Sequence, residues 1–383
     1  MEYCQKCILP NTRPQLALDA SRVCSACRES EKKACVDWRQ REQGWRRIVG
    51  WAKSRKSRYD CVIPVSGGKD STWQVVTCLE YGLRPLAITW KTPARTMIGQ
   101  KNLDNLIGLG VDHIDWRISP KAESKFMLKA FEKVGSPAVP MHLALFAIPL
   151  TVAADFDIPL VVWGENSAVE YGGADGGLKG ARLNSAWLKK YGVSGGTTAA
   201  DWVSEEITIS DLASYCAPTD KELADRGIRA VFLGYYFPWD PERSLAVAKA
   251  HGFRSRQQGP KVGYYNYADI DDDFISIHHY LKWYKFGFTR LFDNLSLEIR
   301  AGRMTRDEAI AVVRERGEVV PHEDIAKFCE FVGITKRDFW DRAERWRNLN
   351  IWERVSGRWE IRDFLIKDWD WHEVQREKTT AGV

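Results

Sequence analysis

From residue 60 to residue 165 short β-branched apolar runs alternate with longer stretches of helical periodicity, and this rhythm constrains the fold more than any other feature of the chain. The runs "CVIPV" (61–65), "PLAITW" (85–90), "HIDWRI" (113–118) and "LVVWGE" (160–165) are too short for helices and read as buried strands. Helical stretches lie between them. They run from Asp70 to Tyr81, from about Ile98 to Leu109, over 121–135, where Ala122, Phe126, Ala130 and Phe131 recur at helical spacing, and from about Met141 to Ala154. Strands separated by helices predict an α/β fold, a parallel sheet with helices on both faces. Ligands of such sheets bind outside the carboxyl ends of the strands, so the residues that follow each strand are the first place to look for chemistry.

The first strand ends in Ser66-Gly67-Gly68-Lys69-Asp70-Ser71. Between a strand and a helix, the N–H groups of the glycines and of the first helical turn point at an anion, and the helix dipole assists them. Lys69, read as an exposed loop lysine, adds a positive point charge. Ser66 and Ser71 offer hydroxyls to phosphate oxygens, and Asp70 either caps the helix or helps to hold Mg²⁺. The pattern is not G-x-x-x-x-G-K-[ST], so a different phosphate chemistry is implied.

Cys4, Cys7, Cys24 and Cys27 form C-x2-C-x16-C-x2-C, a spacing that closes two tight knuckles around one tetrahedral Zn²⁺. With thiolates at all four positions there is no open place for a water, so the metal is expected to be structural. Cys35, Cys61, Cys78, Cys216 and Cys329 are scattered among mostly apolar neighbours and read as small hydrophobes. A polar, basic stretch follows the module, "SEKKACVDWRQREQGWRRIVGWAKSRKS" (30–57), and reads as one connecting helix with Trp38, Trp45, Ile48 and Val49 on a common face.

Two further constellations carry polar groups. "WGENSAVEYGGADGG" follows the 160–165 strand onto the same rim as the phosphate loop. Glu165, Asn166, Glu170 and Tyr171 suit sugar hydroxyls there, and the glycines at 172, 173, 176 and 177 suggest a mobile or tightly turning segment that closes over substrate. The other is "DIDDDFISIHHYLKWYKFGFTR". Asp271, Asp272 and Asp273 read as a helix cap or a metal chelate. His278, His279, Lys282, Lys285 and Arg290 follow on a helical stretch and read as one basic face, either binding a sugar carboxylate or diphosphate or simply solvated. The adjacent histidines lack the spacing of a zinc site.

Composition sets outer limits. A net charge of +5 over 56 basic and 51 acidic residues is too balanced to indicate nucleic acid by itself. No apolar run reaches the roughly 18 residues of a membrane span, and "MEYCQKCILP" lacks the layout of a secretory signal, so a soluble, cytoplasmic protein is expected. Many of the 17 tryptophans lie beyond residue 280, where they read as aromatic core or as stacking platforms. The last third reads as accessory helices: a capping box from Thr305 to Glu308, a stripe of Ile325, Phe328, Cys329 and Val332, a cap at Thr335, and a polar, frayed "QREKTTAGV" at the end.

"SGGKDS" resembles the pyrophosphate loop of the ATP pyrophosphatase superfamily, which splits ATP into AMP and pyrophosphate. With "CQKCILPNTRP", "WGENSAVEYGG", "LGYYFPWD" and the block from Asp269 to Ala309, the chain resembles the N-acetyl sugar amidotransferase family from about Cys4 to Trp371. That resemblance implies an adenine nucleotide alpha hydrolase-like sheet domain. It also implies conversion of an acetamido group on a bacterial surface sugar, as in lipopolysaccharide O-antigen biosynthesis, to an acetamidino group. ATP, Mg²⁺ and Zn²⁺ are the implied cofactors. The expected organisation is a zinc-binding module (1–35), a connecting helix (36–58), the ATP pyrophosphatase-like α/β domain (59–240) and a mostly helical carboxyl-terminal region with substrate and partner contacts (241–383). Lys69, Asp70 and Glu165 are the expected catalytic residues; Ser66, Gly67, Gly68, Lys69, Asp70 and Ser71 bind ATP; Glu165, Asn166, Glu170, Tyr171, His278, His279, Lys282 and Lys285 bind the sugar.

The chain shows no glutaminase motif: Glu2 follows Met1, and no internal cysteine sits in a glycine-flanked nucleophile turn. The family resemblance implies that a separate class I glutaminase, with a barrel protein similar to the histidine-biosynthesis cyclase, supplies ammonia. The partners expected are thus an acetamido sugar and these two proteins, with no membrane and no nucleic acid. Two alternatives stand beside this. Zinc-knuckle tRNA-thiolation enzymes share the loop but usually carry cysteines at the sheet rim, where Cys61 and Cys78 do not lie. A non-catalytic zinc-bound scaffold of a polysaccharide-synthesis complex is the other.

Overall fold

The computed structural model describes residues 1–173 and 176–371. Five strands, β1 (Cys61–Pro64), β2 (Pro85–Trp90), β3 (Asp112–Trp116), β4 (Leu160–Trp163) and β5 (Arg229–Phe232), form one parallel sheet in the order β3-β2-β1-β4-β5. Alternation along each strand feeds two cores. Val62, Leu86, Ile88, Trp90 and Val161 pack with the helices Pro120–Val134 and Val139–Asp155 on one face. Cys61, Ile63, Ala87, Leu160 and Val162 pack on the other with Trp45 and Val49 of the helix Trp38–Ser54, Trp73 and Val75 of Lys69–Glu80, and Leu103 and Leu106 of Met97–Ile107. The fold is therefore α/β with helices on both faces, as the alternation of runs required.

The chain steps outward from β1 to β2 and β3 on one side and from β4 to β5 on the other, so the sheet changes direction between β1 and β4. A crevice opens where the loops after those two strands diverge. The loop after β1 is Ser66–Gly68, and the residue after β4 and Gly164 is Glu165.

Three differences from the sequence expectation have local causes. The stretch read as one connecting helix is two, Ser25–Lys33 and Trp38–Ser54. Asp37 starts the second by accepting the N–H of Gln40 at 3.0 Å, a bond that replaces helix continuation. The alternation does not mark strand β5, because no single amphipathic helix precedes it; residues 164–173 and 176–228 fill the crossover with short helices and turns. The carboxyl-terminal region is helical but also carries an antiparallel hairpin, Trp352–Val355 with Arg358–Ile361. The helix Pro241–Ala250, placed by sequence in that region, packs against Lys69–Glu80 of the sheet domain.

The cysteine module does not stand alone. Tyr3, Ile8, Leu9 and the four cysteines share one apolar cluster with Trp283, Phe288, Phe292, Leu295, Ile351 and Trp352, so the first and last parts of the chain make one core. Trp283 and Trp352 are buried there as packing residues. The Thr305–Glu308 capping box and the Thr335 cap are formed. Residues 375–383, read as frayed, lie outside the described residues, as do Ala174 and Asp175. No helix among the described residues is long and apolar enough to cross a membrane.

Candidate active site

Gly67 sets the shape of the phosphate loop. Its φ is +81°, and a Cβ there would fall 2.4 Å from the backbone N of Leu103, so the loop lies against the helix Met97–Ile107 as only glycine allows. Gly68, extended, is the N-cap of Lys69–Glu80 and offers the helix's open N–H groups no side-chain acceptor. Those donors remain available to an anion. The hydroxyls of Ser71 and Thr72 both donate to the Gly68 carbonyl at 3.0 Å, and Ser66 Oγ accepts the Gly68 N–H at 3.3 Å. The serine hydroxyls thus brace the loop.

Lys69 and Asp70 differ from their sequence readings. Lys69 is the first residue of the helix and only 6% exposed. Its ammonium lies 5.6 Å from the Trp239 ring and 5.9 Å from the Tyr267 ring, within cation–π reach. Asp70 is not the cap: its Oδ2 accepts from Lys69 Nζ (2.5 Å) and its Oδ1 from the Trp239 indole N–H (2.9 Å). Trp239 sits within the "LGYYFPWD" stretch, but nothing in that stretch alone marks it as the residue that orients Asp70.

Glu165 faces this pair across the β1/β4 crevice. Burial, and then the Asp70 carboxylate, push its carboxyl up to about 7, with the Lys69 ammonium opposing. A carboxyl there exchanges a proton near neutral pH. Asp70 is the side chain that would hold Mg²⁺ beside a bound nucleotide, leaving Glu165 to exchange a proton.

The rim segment that follows is more firmly held than its glycines suggested. Asn166 caps Ser167–Glu170: its Oδ1 accepts from the Ala168 N–H and the Trp187 indole, and its Nδ2 donates to the Leu178 and Gly180 carbonyls. Fully engaged and 3% exposed, it braces the segment from within. Glu170 is likewise taken, by Lys33; the pair lines a cavity of about 170 Å³ with Trp239, Asp240 and Arg300. Gly172 and Gly173 are not loose either. A Cβ on Gly172 would meet Ala26 N at 2.5 Å, and one on Gly173 the Tyr191 hydroxyl at 2.3 Å. Tyr171 remains, its hydroxyl raised by burial and set among the charges of Arg290, Glu165, Asp293 and Asp70.

The basic stretch divides. The helix Ile275–Phe286 ends at Gly287 in the left-handed conformation, so Arg290 begins the next helix, Arg290–Arg300, rather than continuing the first. The face is packed, not solvated. His278 Nδ1 meets Ser136 Oγ (2.8 Å) with its ring 5.3 Å from that of His279, and Lys285 Nζ donates to the Val134 carbonyl (2.8 Å) at the end of Pro120–Val134. His279 and Lys282 turn the other way, to Asp269 and Asp293, each at 3.4 Å. Arg290 Nε donates to Asp269 Oδ2 at 3.0 Å, and Arg13, from between the cysteine pairs, donates through Nε to Asp293 Oδ1 at 2.8 Å. Burial would raise both aspartates, yet Arg290 with His279, and Arg13 with Lys282 and Arg290, hold them well below the usual carboxylate range. Burial lowers Lys282 and Lys285 to about 8 and His279 to about 4.

The acidic triplet supplies no side-chain cap to the helix beside it. Phe274 is the N-cap position of Ile275–Phe286, with no side-chain cap. Burial raises the Asp271 carboxyl, and the Ser66 hydroxyl of the phosphate loop opposes the rise. Asp272 accepts from the Thr92 hydroxyl and the Phe274 N–H, and Asp273 pairs with Lys261 and Lys327.

Among the described residues the four cysteines are the group that brings three or more metal-ligating atoms together. All are buried and free, with Cys4 and Cys27 sulfurs 3.9 Å apart and Cys7 and Cys24 sulfurs 3.6 Å apart. A tetrahedron of Zn–S bonds of about 2.3 Å has edges of about 3.8 Å, so the donor set fits Zn²⁺. The N–H groups of Cys7 and Cys24 donate to Cys4 Sγ, and Arg306 donates to the Cys4 and Cys7 carbonyls.

A family model described as "LPS biosynthesis protein WbpG-like, C-terminal domain" matches residues 262–365, about a quarter of the chain, which includes Asp269, the basic helix, Arg290 and Asp293. No curated protein matches the chain. Among solved structures, NMN synthetase from Francisella tularensis aligns at 11% identity and a TM-score of 0.36, over 82% of this chain and 97% of that one. NAD+ synthetase from Burkholderia pseudomallei aligns at 14% and 0.27, over 61% and 94%. A predicted tRNA methyltransferase subunit from Methanocaldococcus jannaschii aligns at 16% and 0.25, over 49% and 73%. At these scores the likenesses carry no functional information.

Proposed function

We propose that this chain is an ATP-dependent, AMP-forming amidotransferase that converts the acetamido group of a bacterial surface-polysaccharide sugar to an acetamidino group. The observation that carries the reading is the meeting, at the β1/β4 crevice, of an uncapped helix N-terminus with Lys69 and a carboxyl, Glu165, poised at about 7. The match of residues 262–365 to an LPS-biosynthesis domain supports the sugar as substrate class.

An amide carbonyl is a poor electrophile and its oxygen a poor leaving group, which explains a requirement for ATP. In the proposed first step the amide oxygen attacks the α-phosphorus, an O–P bond forms, and the bond to the β-phosphate oxygen breaks to release pyrophosphate. Lys69 and the N–H groups of the first helical turn stabilise the charge that develops on that leaving group. Magnesium, when bound, would neutralise the same charge. In the second step ammonia attacks the imidate carbon, the C–O bond breaks, and AMP departs. Glu165 accepts the proton released, leaving a protonated amidine. No covalent enzyme nucleophile is required.

Tyr171, His279, Lys282 and Arg290 are the side chains proposed to face the sugar, Lys282 and Arg290 offering charge to an acidic group on it. A separate class I glutaminase with its barrel partner is proposed as the ammonia source in the cytoplasm. The test is incubation with ATP, ammonium and a panel of acetamido sugars. AMP and pyrophosphate should appear in equal amounts with a product lighter by the difference between O and NH, and glutamine should replace ammonium only when a glutaminase is added. ADP and phosphate instead would make the loop a kinase-like site and end the adenylation mechanism.

A further inference from the structure

We propose that the cysteine module is a positioning element of the candidate site, because three consecutive rim residues, Glu170, Tyr171 and Gly172, are each held by a residue of that module. Lys33, at the end of the helix that Cys24 begins, pairs with Glu170. Arg13 Nη1 donates to the Tyr171 carbonyl (3.2 Å) while its guanidinium lies 5.4 Å from the centre of the Tyr171 ring. Ser25 Oγ donates to the Gly172 carbonyl (2.5 Å). The approach is close: Gly172, at φ +86°, leaves no room for a Cβ against Ala26. Ser25 and Ala26 lie between two cysteines of the metal set, and Arg13 lies in the chain between the two cysteine pairs.

The module also reaches the other wall of the site. Arg13 joins the Tyr171 backbone to Asp293, the aspartate that Lys282 shares. One guanidinium therefore ties the rim of the sheet domain to the helical half. Between the cysteine pairs the chain has no helix or strand, only isolated bridges from Tyr3 to Pro10 and from Leu18 to Cys24. Closure of the four sulfurs pins both ends of this segment, and turn bonds from the Arg13 N–H to Pro10 and from the Leu16 N–H to Arg13, with the packing of Ile8, Leu9 and Leu16, complete its hold on Arg13; metal occupancy thereby sets the rim, a role beyond holding the fold. That the rim serves a sugar rests on the function proposed above; that the module holds the rim does not.

Hydrogen exchange on the full chain separates the two. When Zn²⁺ is removed by a chelator, with release followed in parallel, exchange in a peptide spanning 165–173 should speed up about tenfold or more, while peptides covering β1 and β2 change less than about twofold. Arg13→Gln should loosen the same peptide with its metal content intact, and Arg13→Lys should restore part of the protection. Ser25→Ala, which removes one hydroxyl, covers the case in which the arginine variants do not fold. With active protein, Arg13→Gln should raise KM for the sugar about tenfold and leave KM for ATP within about twofold. Unchanged exchange at 165–173 on metal loss overturns the proposal. So does simultaneous loss of protection in β1, which would make the metal a general staple. If no acetamido sugar is ever turned over, the proposed function falls and the exchange result still decides this inference.

Discussion

The phosphate loop and the rim opposite it are built by opposite means. The loop backbone is braced locally: Ser66, Gly68, Ser71 and Thr72 bond to one another within four residues, while Gly67 rests on Leu103 and the side chains of Lys69 and Asp70 on Trp239. The rim is assembled from residues 137 to 280 positions apart: Lys33 with Glu170, Arg13 with Tyr171, Arg13 with Asp293. A local site is specified by its own sequence and presents donors outward. An assembled one must first neutralise the charges it buries, and most of its groups are spent on each other. The two should therefore fail differently, the rim through stability and the loop through rate.

The largest effect is expected at Asp293, which is 1% exposed and serves Arg13 and Lys282 together. Asp293→Ala leaves two cations without their buried partner, and breaking such a pair costs about 3–5 kcal/mol. Denaturant unfolding should show this loss. A cost under about 1 kcal/mol would mean that the rim is held by packing, and the contrast with the loop would dissolve.

Lys69→Ala tests the loop. Turnover should fall on the order of a hundredfold or more, since the charge acts on the leaving pyrophosphate. Burial of Lys69 against Trp239 and Tyr267 changes what the stability control should show. A modest loss of about 1 kcal/mol is expected, and Lys69→Met, which keeps the buried stem, should recover the stability without the rate. Recovery of rate by methionine would remove the charge from the argument.

Glu165 comes next because its effect depends on pH. Its carboxyl is raised to about 7, so the basic form grows as pH rises through 7, and kcat/KM should rise with it. Glu165→Gln should lower the rate by about a hundredfold at pH 8 and by progressively less as pH falls, because protonation disables the native residue as well. A variant profile that keeps the limb near 7 would assign that limb to another group.

How much of this was legible follows the same division. Strands β1 to β4 and the loop after β1 could be read from "CVIPVSGGKDS" and the runs like it, because alternation and glycine placement are local signals. The four cysteines were legible for the same reason, since paired spacing implies a knuckle wherever the pairs sit. Arg13, Lys33, Trp239 and Asp293 were not, since an arginine or tryptophan shows its role only when its partner arrives from another part of the chain. Asn166, Glu170 and Lys285 show the converse. Polar residues at a rim look available in sequence, and the structure shows Leu178, Lys33 and Val134 already holding them. The acidic triplet shows the limit of position-based reasoning: three adjacent carboxylates face a serine, a threonine and two lysines, and none caps the helix beside them.

That triplet supplies the finest test of how buried acids differ between the two regions. Asp272 is 4% exposed; its Oδ1 accepts from Thr92 (2.9 Å) and Phe274 N–H (3.0 Å), while its Oδ2 has no partner among the described residues. Burial raises its carboxyl to about 7, whereas cations depress Asp293. The two then act with opposite sign. Between about pH 4 and pH 7 the folded state keeps a proton on Asp272 that the unfolded chain has released, so this group's contribution to stability falls as pH rises, by at most about 1.4 kcal/mol per pH unit. Asp293 contributes above the ordinary aspartate range and loses that contribution as pH falls. Asp272→Asn keeps the acceptor oxygen and removes the titration, so the variant should match the native chain near pH 5 and exceed it near pH 8 in chemical denaturation. An Asn variant that tracks the native chain at both pH values would show that Asp272 is ionised in place and that a cation or water reaches its second oxygen.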